Sequence, residues 1–212
     1  MEEIKKGEQE IMSVKRNGIK ILVASTVYGF EGQLAAIYNQ LDHYGYDVMN
    51  SHMGTVYAGT EKSNIDNCME AVDECDAFLG IIRPHYGSGV IGETSITHEE
   101  VLRAILKKKA RWFLADSKVI FARQLLRKAE IVDKNVGKKI KLDDVIIRPN
   151  NIIDVRSIEI YNEVTLDKVK PKERKGHWAQ EYYDFPGMTR FIEAQFKNSD
   201  RIKRTINYMN SL

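Results

Sequence analysis

Apolar residues gather in short β-branched runs separated by longer stretches with a helical period. Ile19-Lys-Ile-Leu-Val-Ala-Ser25 reads as a strand, and Glu31–Tyr44 follows as a helix with Leu34, Ile37, Tyr38 and Leu41 on one face. Gly45 stands where that helix should stop, and Tyr46–Met49 is a short second strand. Ser63 can cap a helix running to about Glu74, and Asp76–Ile82 is a third strand. A helix from His98 to about Lys108, a strand over Arg111–Ala115 and a helix from Lys118 to about Val132 continue the alternation. The Ile152–Arg156 and Ile158–Ile160 runs suggest a fifth strand, and one or two helices close the chain from Gly187 to Asn210. Strands alternating with helices long enough to be crossovers predict a parallel sheet covered on both faces. The expected fold class is α/β, a flavodoxin-like three-layer sandwich around about five parallel strands.

This pattern predicts a charged N-terminal arm over 1–18, an α/β domain over 19–165 and a C-terminal helical extension over 166–212 packed on it. A length of 212 residues, 43% of them hydrophobic, suits one such domain with a full core. Net charge is +2, so the whole-chain balance points to neither nucleic acid nor membrane. Fourteen Lys and Arg face six Asp and Glu between Glu100 and Arg148, densest at Lys107–Lys109 and Lys138–Lys141. Runs of this kind are ordinarily solvated helix ends and loops, so nucleic acid is not the expected partner. No apolar run reaches the ~18 residues of a membrane span, and the first eighteen residues lack a signal-peptide pattern. Cys68 and Cys75 have neither disulfide-framework nor metal-ligand spacing and are expected to be buried thiols. The expected setting is the cytoplasm, with no membrane and no metal.

The chemistry concentrates where the third strand gives out. Gly80–Glu100 carries Arg83, His85, Tyr86, Gly87, Ser88, Gly89, Gly92, Glu93, Ser95, Thr97, His98, Glu99 and Glu100. Ligands of open α/β sheets bind at such strand ends. Arg83 has the planar fork that suits phosphate or carboxylate, and Tyr86 offers a stacking face. Ser25 and Thr26 close the first strand, ahead of Tyr28 and Phe30, and can either face an anion or cap the next helix. Neither a Rossmann fingerprint nor a P-loop is present. Thr97 and Glu100 have capping-box spacing, which needs no function. In the functional alternative, a carboxylate of Glu99 or Glu100 points into the cleft and either acts as a nucleophile or stabilises a developing oxocarbenium ion.

Lys20–Thr26, Asp76–Ile82, Tyr86-Gly87 and Ser95–Glu100 together resemble the bacterial domain-of-unknown-function family 4062. That family is similar in turn to Toll/interleukin-1 receptor (TIR) domains and nucleoside 2-deoxyribosyltransferases. The resemblance implies a flavodoxin-like sheet and N-glycosidic chemistry carried by a glutamate on the helix after the third strand. Thr97, Glu100 and Ala104 match the local deoxyribosyltransferase pattern, which makes Glu100 the implied catalytic residue and Glu99 the alternative. The implied substrate wall is Ser25, Thr26, Tyr28, Phe30, Arg83, Tyr86, Gly87, Ser95 and Thr97. A nucleotide or nucleoside is the implied partner, with NAD as a candidate substrate, no resident cofactor and a homo-oligomer as one assembly. The implied activity is that of an NAD glycohydrolase or nucleoside/nucleotide hydrolase, in bacterial antiphage defence or signalling. The alternative is a non-catalytic module of TIR-like fold that binds a nucleotide signal or a protein.

Overall fold

The computed structural model describes residues 16–87, 94–128, 131–132, 139–140, 152–166 and 168–212. Its centre is a five-stranded, all-parallel sheet in the order β2-β1-β3-β4-β7. The strands are β1 (Lys20–Ser25), β2 (Asp47–Met49), β3 (Ala77–Ile82), β4 (Ala110–Asp116) and β7 (His177–Tyr182). The two residues each of β5 (Ile131–Val132) and β6 (Lys139–Ile140) form a separate antiparallel pair. The helices are α1 (Glu31–His43), α2 (Asn64–Glu74), α3 (Ile96–Leu106), α4 (Ser117–Lys128), α5 (Arg156–Thr165), α6 (Phe185–Phe196) and α7 (Ser199–Asn210). This is the flavodoxin-like α/β architecture, with the strand order reversing between β1 and β3.

Side chains alternate across the sheet into two cores. Ile21, Val23, Leu79, Ile81, Trp112 and Leu114 pack under α1, α6 and α7. Leu22, Ala24, Phe78, Ile82, Phe113 and Ala115 pack under α2, α3, α4 and α5. Both faces are covered, which is why β1, β3 and β4 read as continuous apolar runs. Gly80 belongs to the second face. A Cβ there would sit 2.7 Å from Cδ1 of Phe113 and 3.0 Å from Cε1 of Phe78, so the missing side chain lets these two rings pack 5.9 Å apart.

One expectation is overturned. Residues 156–160, expected as a strand, open α5, whose buried Ser157, Ile160 and Val164 recur at helical spacing. The fifth strand of the sheet is instead β7, registered on β4 from Arg111↔His177 to Asp116↔Tyr182. The segment 166–212 therefore supplies a strand of the sheet as well as helices. Of the arm expected over 1–18, residues 1–15 lie outside the described ones, as does most of the basic stretch 133–151. Arg16 pairs with Asp42 at 2.6 Å and donates to the Tyr46 carbonyl at 2.7 Å.

Where β7 enters the sheet, Arg111 Nε donates to Nδ1 of His177 at 2.8 Å, and Nε2 of His177 lies 2.7 Å from the Val164 carbonyl. The Arg111 contact requires an unprotonated Nδ1 and hence a neutral imidazole, with Nε2–H donating to Val164. Burial, reinforced by the Arg111 charge, pulls its pKa down to about 4 against the Val164 contact, which pushes upward. A histidine held neutral in the fold contributes stability above its unfolded pKa, and that stability is lost as pH falls through the folded value. Between pH ~6.5 and ~4 this group is expected to remove about 2 kcal/mol, partial exposure included. Melting temperatures of wild type and His177→Asn over that interval check it. An identical acid slope in both proteins would remove His177 from the account.

Candidate functional site

The strand ends at the switch between β1 and β3 open on a cavity of about 730 Å³. This lies within the range usual for small-molecule sites. Ser25, Thr26, Val27 and Tyr28 form one wall, and His85, Tyr86 and Gly87 another. Ser95, Ile96, Thr97 and Glu100 come from the start of α3. The opposite side is built by Ser51, Val56 and Ala58 of the loop after β2, by Asn64, Asn67 and Cys68 of α2, and by Asp154.

The walls are fixed by hydrogen bonds that leave few of their polar groups free. The Thr26 hydroxyl donates to the His85 carbonyl at 2.9 Å and so ties the two strand ends together. Gly87 (φ +97°) brings its backbone against Thr26, where an added Cβ would lie 3.4 Å from the Thr26 side chain. Such a φ favours glycine. Asn67 grips Gly59 twice, accepting from its amide at 3.0 Å and donating to its carbonyl at 3.2 Å, which holds the 51–58 wall on α2. Asp154 anchors the far wall: its amide donates to the Pro84 carbonyl at 2.8 Å, and Ser157 Oγ reaches the same oxygen.

The start of α3 differs from the expected capping box. Ser95 is the N-cap and accepts from the His98 amide at 3.3 Å. Thr97 and Glu100 therefore lie within the helix, one turn apart on one face, and both line the cavity. Thr97 is 8% exposed and Glu100 is 6% exposed. Burial pushes the Glu100 carboxyl up to about 8, opposed by the Cys68 thiol hydrogen-bonded to it. Burial and the neighbouring Glu100 push the Cys68 thiol up to about 11, so this cysteine is no ready nucleophile. Cys68 and Cys75 are both free and buried. At neutral pH, Glu100 is thus largely a neutral acid lining the cavity.

The remaining residues divide. Ser25, Thr26, Tyr28, Tyr86, Gly87, Ser95, Thr97 and Glu100 meet around the cavity. Tyr86 is 2% exposed; its hydroxyl accepts from the Ser95 amide and lies 2.8 Å from Nδ1 of His98. Burial lowers the His98 pKa, which fits a neutral ring in that contact. The Arg156 guanidinium lies 4.5 Å from the Tyr86 ring centre, so one of its faces is already covered. Arg83, Phe30 and Glu99 do not line the cavity. The Arg83 guanidinium donates to the carbonyls of Thr26 (2.8 Å) and Tyr28 (2.9 Å) and lies 4.4 Å from the Phe30 ring centre, bracing the β1–α1 turn. Phe30 sits in the core, and the Glu99 carboxylate accepts from the Thr94 hydroxyl. Ser88, Gly89, Gly92 and Glu93 lie outside the described residues.

Sequence reasoning missed Asn64, Asn67, Cys68 and Asp154. The first three sit on α2, whose apolar face reads as plain core. Asp154 lies in a run that looked like a strand. Among the described residues, no group of three or more His, Cys, Asp or Glu is placed to hold a metal ion, and no helix is long and apolar enough to cross a membrane.

No curated protein and no solved structure matches the chain. Its sequence matches the family described as Domain of unknown function (DUF4062) over residues 20–151, a span covering β1 to β4, the β1–β3 switch and all of α3. The chain belongs to that family.

Proposed function

We propose that this protein cleaves the N-glycosidic bond of a nucleoside, a nucleotide or NAD, with Glu100 as the catalytic residue. The observation that carries this reading is the Glu100 carboxyl itself. It is buried, raised to about 8, and opens on a 730 Å³ cavity beside the Thr97 side chain. A strongly perturbed acid in a cleft is a functional-site candidate on physical grounds. The resemblance to TIR domains and deoxyribosyltransferases points to the same bond.

In this reading, Thr97 and Glu100 hold the sugar. The bond between the anomeric carbon and the base nitrogen breaks, and its electron pair leaves on the base. As positive charge grows on the sugar, it favours the ionised Glu100, and the pair is stabilised far more in the transition state than in the ground state. A water oxygen then adds to the anomeric carbon and loses a proton; a neutral nucleoside base takes one up as it departs, whereas nicotinamide departs already neutral and the proton goes to solvent. A carboxyl whose pKa lies near neutrality can carry that proton. The reaction needs no resident cofactor. A cytoplasmic role in bacterial antiphage defence or signalling, in a homo-oligomer, would suit such an activity.

The test is chromatographic detection of free base after incubation with purine and pyrimidine nucleosides, their 5′-phosphates and NAD. Base release that vanishes in Glu100→Gln is the expected result. Release undiminished in that variant removes Glu100 from the role. Tight binding with no release from any substrate would support a second reading, in which the neutral Glu100 hydrogen-bonds a nucleotide signal without chemistry.

A further inference from the structure

We propose that the surface formed by residues 168–178 and α7 binds single-stranded nucleic acid. This surface is separate from the cavity, which opens at the opposite ends of the strands.

The whole-chain net charge of +2 conceals a local excess. Residues 168–178 hold Lys168, Lys170, Lys172, Arg174 and Lys175 against Glu173 alone. On α7, Arg201, Lys203 and Arg204 stand against Asp200, so the two segments carry eight cations and two acids, a net +6. Among the described residues none of these eight cations is in an ion pair. Cations elsewhere are paired, as Arg16 is with Asp42, Lys62 with Glu70 and Lys197 with Glu193. Clustered like charges repel one another, and a polyanion relieves that repulsion.

Three contacts join the two segments into one surface. The Lys175 ammonium lies 5.6 Å from the Tyr208 ring centre. Gly176 (φ +62°) backs directly onto Met209, where an added Cβ would collide with the sulfur. The Gly176 carbonyl accepts from the Arg111 amide at 3.0 Å, which fixes the segment at the foot of β4. Trp178 is registered on Trp112, whose side chain packs under α1, α6 and α7. Registered neighbours in a parallel sheet point to the same face, so Trp178 stands on the α7 side, two residues from Gly176. Arg204 and Tyr208 are one turn apart on the exposed side of α7. Trp178 is 55% exposed and Tyr208 39%.

The chemistry of this surface selects among polyanions. A helix that lies on a membrane turns aliphatic side chains to the lipid. Those of α7, Ile202, Ile206 and Met209, are buried in the core instead. An acidic peptide would engage the cations and leave both aromatic rings idle. A single strand uses both, with phosphates on the cations and bases on the rings.

The test is fluorescence anisotropy of labelled 20-nucleotide oligouridylate and oligothymidylate with the full chain. Both are expected to bind. Raising salt from about 0.05 M to about 0.2 M should weaken them about 50-fold, which corresponds to about four neutralised phosphates. Lys172→Glu combined with Arg204→Glu is expected to lose at least about 10-fold. Lys62→Glu combined with Lys118→Glu has the same net charge but lies outside this surface, and should lose less than about 2-fold. Trp178→Ala leaves the charge unchanged and is expected to lose about 5-fold or more. Phosphatidylserine vesicles and polyglutamate, at matched negative charge, should bind the wild type at least about 10-fold more weakly than the oligonucleotides. That comparison stands even where a variant fails to fold. No oligonucleotide binding, vesicles or polyglutamate held as tightly, equal losses in the two double variants, or undiminished binding by Trp178→Ala would overturn the inference.

Discussion

Glu100→Gln is expected to abolish base release while raising the melting temperature, most visibly above pH 6.5. The carboxyl is raised from 4.5 to about 8 in the fold by burial. Between those values the folded chain holds a proton that the unfolded chain gives up, so stability falls as pH rises through the window. By pH 7 the loss is about 3 kcal/mol, which is large against a typical total of 5–15. Glutamine keeps the shape and the hydrogen-bonding amide but cannot ionise, so the slope disappears. For a chain of this size the gain corresponds to about 6–12 °C. Below pH ~6.5 the acid loss at His177 runs the opposite way and masks part of the effect, so pH 6.5 to 8 is the interval to compare. A variant that loses activity and stability together, with the alkaline slope intact, would mean that Glu100 only packs.

Gly80→Val is expected to be the most damaging single substitution in the sheet. The position is mid-strand in β3, between β1 and β4, and its Cβ would meet Phe113 at 2.7 and 2.9 Å and Phe78 at 3.0 Å. Those rings are fully buried and close-packed, so neither can swing aside without opening the core. Overpacking of this kind costs about 3 kcal/mol, and the branched side chain adds to it. Denaturant titration should show the midpoint falling with little change in slope, and Gly80→Ala should fall between the two. Because β3 leads directly into Arg83 and Tyr86, any shift of the strand also moves the wall of the pocket. An unchanged midpoint in Gly80→Val would refute the crowding argument.

Much of the scaffold could be read from the chain because buried parallel strands are apolar on both faces. Ile21–Ala24, Phe78–Ile82 and Trp112–Ala115 carry that signal. β7 did not, because Trp178, Ala179 and Gln180 of this edge strand remain exposed and its letters are mixed. Ile152–Ile160 did carry apolar, β-branched residues, yet Ile160 and Val164 form a helical stripe once the chain turns at Asp154. At the site, the Thr-x-x-Glu spacing located the two inward groups, but not their register. Ser95 competes for the cap and wins, which drives Thr97 and Glu100 inside. The direction of Arg83 was invisible for a similar reason: nothing in its letters distinguishes a ligand clamp from a brace on the carbonyls of Thr26 and Tyr28.

The position of β7 at the edge of the sheet also bears on how the chain is made. β4 ends at residue 116 and its outer partner begins at 177, so about 60 residues must be synthesised before β4 is covered. At typical elongation of about 5–20 residues per second, a nascent chain would carry an open, apolar β4 edge for roughly 3–12 s. An emerging chain is thus most vulnerable to edge-to-edge aggregation late in translation, after the pocket walls from β1 and β3 have already appeared.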